Sequence, residues 1–87
     1  MDKKAVEKCE PAAAIVAALG GITEVSKIAD VSVVTVQRWR FPVAHGGTGG
    51  FIPRKYHQVL IEAAAAKGLD LPAGAFIDAA MVPKEAA

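Results

Sequence analysis

Eighty-seven residues with a formal net charge of +1 suit one domain with a single small core, and are too few for a second domain or a sizeable cleft. One cysteine, Cys9, excludes an internal disulfide and a cysteine-based zinc cluster within these residues. The longest apolar stretch, residues 11–22, falls well short of the roughly 20 residues that a bilayer-spanning helix needs.

Residues 1–10 read as a flexible lead-in in which Lys3, Lys4 and Lys8 balance Asp2, Glu7 and Glu10. They carry too many acids and too little apolar sequence for a secretory signal, so a cytoplasmic location without a membrane partner is expected. Pro11 suits the first position of a helix, and AAAIVAAL then runs to a double-glycine stop at Gly20 and Gly21, with Ile15, Val16 and Leu19 facing the core. The wealth of alanine, the few aromatics and the lack of a competing strand pattern point to an all-α fold, a compact bundle of four or five helices over residues 11–81.

Residues 22–41, ITEVSKIADVSVVTVQRWRF, organise the rest and read as a helix-turn-helix. The apolar residues Val25, Ala29, Val31, Val36 and Trp39 are spaced to suit a helix, a corner and a second helix sharing one core. Ser32 is a natural N-cap for the second helix, accepting from the amide of Val34 or Thr35. If Val36 and Trp39 point inward, steps of about 100° per residue put Val34, Gln37 and Arg38 outward. An outward glutamine can read adenine, an arginine guanine, and a valine can pack on a thymine methyl, so Val33, Val34, Gln37 and Arg38 are the candidate base-reading residues. The bland alternative for Val34 is a stray exposed apolar side chain or one covered by the C-terminal part of the chain.

Phe41 and Pro42 end this pattern. The following loop, VAHGGTGGF, places four glycines around Thr48; without a Walker or dinucleotide fingerprint it reads as a connector rather than a phosphate cradle. Pro53 then opens the helix RKYHQVLIEAAAAK, which stops at Gly68 and turns Tyr56, Val59, Leu60 and Ala63 to one face. Ile52 at the expected cap position cannot accept from first-turn amides, and Arg54 and Lys55 stand where the helix dipole prefers acids. A DNA phosphate would supply the missing anion, which makes Arg54 and Lys55 candidate backbone contacts together with Ser32, Thr35 and Arg40. The alternative is an ordinary solvated basic turn. Charge distribution favours the contact: residues 31–61 carry Arg38, Arg40, Arg54 and Lys55 and no acid at all.

Residues 72–81, PAGAFIDAAM, read as a last helix whose Phe76, Ile77 and Met81 close the core or form the seam of a homodimer. Residues 82–87 read as a loose tail. His45, His57 and Cys9 offer no paired spacing for a metal, and Asp30 and Glu62 no acid–base pair beside a nucleophile. No catalytic residue, cofactor or small-molecule ligand is therefore expected.

Residues 22–41 resemble the helix-turn-helix of phage Cro-type repressors and related small regulators, in Ala29, Val31, Ser32, Val36 and Trp39 in their usual order. Ser26 departs from the small alanine of that pattern and Asp30 from its turn glycine, although serine is small and aspartate tolerates a left-handed backbone. GGTGGFIPRKY, following such a unit, is also similar to the carph-isopro type of short phage and prophage regulators, with Ile52 and Pro53 as the isoleucine–proline pair. The two resemblances together cover residues 11–77. They imply a lambda-repressor-like fold that binds double-stranded DNA as a transcriptional regulator, a repressor that occupies a promoter. Two other readings remain: a protein-interaction module of antitoxin or adaptor kind, in which Val33, Val34 and Phe41 meet a partner chain, and an architectural DNA binder without sequence choice.

Overall fold

Alanine-rich sequence followed by two glycines gives a short first helix. In the computed structural model, which describes residues 9–83, α1 spans Ala12–Ala18 and buries Ala12, Ile15 and Val16, with Leu19 buried just beyond it. Gly20 and Gly21 both have positive φ, 107° and 105°, which turns the chain so sharply that α2, Ile22–Ala29, runs at 91° to α1. Helix α2 packs on α3, Val33–Arg40, and on α4, His57–Ala66. Residues 9–83 contain no strand, and none of their helices is individually long and apolar enough to cross a membrane.

The core is assembled from one stripe of each helix. Ile15, Val16 and Leu19 meet Val25 from α2, Val36 and Trp39 from α3, and Leu60 and Ala64 from α4; Ile52, Leu71, Ala75 and Phe76 come from the connecting segments. Ala29 and Val31 pack against this core half-buried, at the corner between α2 and α3.

Four details differ from the expectations above. Residues 72–81 form no α-helix but two 3-10 turns, Ala73–Phe76 and Ala79–Met81, split where Asp78 takes an extended backbone and accepts from the Ala80 amide. An aspartate that can bond its own neighbouring amides offers the chain an alternative to the helix. Of the three expected apolar contacts Phe76 alone is buried, beside Ala75; Ile77 is 85% exposed and Met81 46%. Secondly, the inward stripe of α4 is His57, Leu60, Ile61 and Ala64, one position out of phase with the expected one, so that Ala63 is only half-buried and Val59 is exposed. His57 fits an inward position because its Nε2 donates to the Ile52 carbonyl at 2.7 Å and its ring stacks on Phe76 with centroids 3.9 Å apart.

Thirdly, Ile52 is not a cap residue but a core side chain; the helix opens as a 3-10 turn, Arg54–Tyr56, before α4 begins. Lastly, the lead-in is anchored at its end. The Cys9 amide donates to the Arg40 carbonyl at 2.7 Å, and the Glu10 carboxylate accepts from the Ala14 amide at 2.9 Å. The expected lead-in over residues 1–8 and the tail over 84–87 lie outside the described residues, while Val82 packs against the core.

The glycine loop is a closed clip rather than a loose connector. Gly47 passes so close to the end of α3 that an added Cβ would lie 2.1 Å from the Phe41 carbonyl oxygen and 2.6 Å from that of Arg38. Gly47→Ala is therefore expected to cost about 1–3 kcal/mol by overpacking. A shift of the urea midpoint at unchanged slope measures it.

Candidate nucleic-acid interface

The candidate base-reading residues all lie on α3, and the ends of that helix explain how they are presented. At its amino end Asp30 takes the left-handed conformation (φ 59°, ψ 50°), which ends α2. The Ser26 carbonyl accepts from the Asp30 and Val31 amides. Ser26 itself is buried and stays satisfied because its hydroxyl donates to the Thr23 carbonyl at 2.7 Å. Both departures from the regulator pattern thus sit in compatible backbone.

Ser32 is the N-cap: its Oγ accepts from the Thr35 amide at 3.1 Å, and the two hydroxyls lie 3.0 Å apart. Ser32→Ala is expected to cost about 1 kcal/mol, seen as a fall in Tm of roughly 4–8 °C for a domain of this size. One hydrogen bond joins the two hydroxyls at the start of the helix, where Ser32 is exposed and Thr35 half-buried.

Along α3 the buried direction is set by Val36 and Trp39. Val34 and Arg38 point away from it and are exposed, Val33 is 36% exposed and Val34 53%, and Gln37 is half-buried on the edge of the same face. Arg40 lies only about 70° from the buried direction. Accordingly it is half-buried, with its Nε shielded from solvent and without a hydrogen-bond partner among the described residues.

The basic turn reaches α3 through aromatic contact. The Tyr56 ring packs 5.1 Å from that of Trp39, and Lys55 Nζ stands 5.2 Å from the centroid of the Tyr56 ring. Arg54 and Lys55 are exposed, no side chain caps the Arg54–Tyr56 turn or α4, and no acid occupies the first turn of either. The backbone-contact candidates therefore fall into two groups. Ser32 and Thr35 mark the amino end of α3. Arg40 forms its last residue, and Lys55, beside Arg54 in sequence, approaches that end through Tyr56. The base-reading candidates lie between.

Sequence reasoning missed the residues that hold the carboxyl end of α3. The Thr48 amide donates to the Arg38 carbonyl at 2.9 Å and the Gly49 amide to the Phe41 carbonyl at 2.8 Å. The Thr48 hydroxyl reaches the Trp39 carbonyl at 3.3 Å, and the Cys9 amide takes that of Arg40. The turn-forming glycines on either side of Thr48 mark a turn in the sequence, but not the carbonyls it reaches. His45 is exposed, and among the described residues no three His, Cys, Asp or Glu side chains gather as a metal site would require. Family models, curated proteins and solved structures provide no match to this chain.

Proposed function

We propose that the protein is a sequence-specific double-stranded DNA-binding regulator of transcription, a cytoplasmic repressor of the Cro type that acts as a homodimer by occupying a promoter. The observation that carries this reading is the outer face of α3, where Val33, Val34 and Arg38 are exposed beside Gln37 on a helix locked from behind by Val36 and Trp39. That face combines an apolar surface for a base methyl with a planar amide and a guanidinium for purine edges, and no acid stands on α3 to repel DNA. Cations at its carboxyl end and in the Arg54–Tyr56 turn supply sequence-independent attraction to phosphates, which fixes register without reading sequence. The exposed Ile77 and Met81 provide an apolar surface for pairing two copies, and pairing doubles an otherwise short site.

The test is binding to the DNA upstream of the protein's own gene and to a scrambled duplex over a salt series. A preference of about 10³-fold or more that weakens steeply with salt supports the reading; equal binding to both duplexes points to an architectural role or to an operator elsewhere. Reversing the charge of Arg54 and Lys55 together is expected to weaken binding to every sequence alike and to flatten the salt slope by about 2. Unchanged affinity would remove those two residues from the interface.

A second reading draws on the same exposed valines together with Phe41, which is half-buried just past the end of α3. An apolar surface of this kind suits a partner protein as well as a base methyl. In that case function would depend on Val33 and Val34 and be indifferent to Arg38 and Arg54.

A further inference from the structure

We propose that Thr48 is a positioning residue for the base-reading face, holding the last turn of α3 so that Arg38 and Arg40 project in fixed directions; this rests on the DNA-binding reading above. The last four carbonyls of a helix have no partner within it, and α3 has only eight residues, too few for a helix to hold its own ends in water. Three of these four, the carbonyls of Arg38, Trp39 and Arg40, are taken up from outside the helix or at its boundary, and so is that of Phe41 just beyond it. Phe41 and Thr48 amides converge on the Arg38 carbonyl, the Thr48 hydroxyl reaches that of Trp39, the Cys9 amide binds that of Arg40, and the Gly49 amide binds that of Phe41.

Among the described residues Thr48 alone contributes both its main chain and its side chain to this end. Its hydroxyl also closes a ring with Phe51, accepting from the Phe51 amide at 3.1 Å and sharing its one proton between the Phe51 carbonyl and the more distant Trp39 carbonyl; the Phe51 contacts set the shape of the loop, and the Trp39 contact with the Thr48 amide ties it to α3. The carbonyl that the Thr48 amide holds belongs to Arg38, a candidate reader. Fraying of this turn would leave the positive charge in place while freeing its direction. Attraction to phosphates survives such a change, but a bidentate contact to a base edge does not.

The experiment compares wild type, Thr48→Val and Thr48→Ser on two duplexes: the one that the wild-type protein enriches from a random pool, and a scrambled duplex of the same composition. Thr48→Val keeps the shape and removes the hydroxyl. It is expected to bind the enriched duplex about five- to tenfold less tightly, the worth of one lost hydrogen bond, with affinity for the scrambled duplex unchanged. Thr48→Ser restores the hydroxyl and is expected to restore the ratio. A purely structural role would lower both affinities together as the folded fraction falls. An unaltered ratio in a folded Thr48→Val protein overturns the proposal. If Thr48→Val does not fold, Thr48→Ser decides: a wild-type ratio supports the proposal and a reduced one overturns it. A wild-type protein that enriches no duplex overturns the DNA reading and this proposal with it, an outcome distinct from enrichment with an unaltered Thr48→Val ratio.

Discussion

Trp39→Ala is expected to lower stability by about 3–5 kcal/mol, the usual cost of emptying a buried tryptophan site. Trp39 is the largest of the fully buried side chains, faces inward from α3 beside Val36, and touches the Tyr56 ring that carries the basic turn. Small domains have only about 5–15 kcal/mol to lose. At roughly 4–8 °C per kcal/mol for a domain of 60–100 residues, the melting temperature should fall by at least about 12 °C. Circular dichroism over a temperature ramp measures it, and Trp39→Phe, which keeps a ring in the site, should lose much less. A variant that melts within a few degrees of wild type would contradict the placement of this side chain in the core. The prediction also separates scaffold from interface: Val34→Ala, at an exposed position of the same helix, should leave the melting temperature nearly unchanged.

The parts of the fold that were legible in the sequence are those governed by local rules. Ser32 caps α3, Asp30 takes the left-handed corner, and Gly20 and Gly21 end α1, each because one side chain or its absence decides one backbone conformation. The spacing of Val36 and Trp39 also fixes which face of α3 is outward, and with it the exposure of Val34 and Arg38.

What stayed hidden depended on partners distant in sequence. His57 holds an inward position on α4 only because the Ile52 carbonyl and the Phe76 ring receive it. The apolar residues alone place the stripe on Tyr56, Val59, Leu60 and Ala63, one position away from the face that His57 joins. Residues 72–81 have apolar residues at helical spacing, but Asp78 draws the local hydrogen bonds and leaves Ile77 and Met81 outside the core. The role of Thr48 is set by carbonyls up to ten residues earlier, and no periodicity marks it. The cation positions were readable from charge alone, whereas the link between Lys55 and α3 through Tyr56 and Trp39 required the fold.

The double variant Gln37→Ala/Arg38→Ala is expected to lose affinity for the preferred duplex by about 30-fold at the least, and by as much as about 10⁴-fold where both contacts are bidentate. Each bidentate base contact is worth about 1–3 kcal/mol of discrimination, and every 1.4 kcal/mol is tenfold in affinity. The range is the sum of two such contacts, about 2–6 kcal/mol; the two side chains are neighbours on one helix, so the single variants need not add up to the double one. Binding to scrambled DNA should fall far less, because only one cation is removed and Arg40, Arg54 and Lys55 remain. Stability should change little, since Arg38 is exposed and neither side chain hydrogen-bonds to another group among the described residues. This pattern is the reverse of the one expected for charge reversal at Arg54 and Lys55, where all duplexes suffer alike. Titrations of both variants against both duplexes therefore separate base reading from backbone attraction. Equal losses on both duplexes in the Gln37/Arg38 variant would reduce α3 to a charged surface, and no loss on either, with loss of function on replacing Val33 and Val34, would move the interface from DNA to a protein partner.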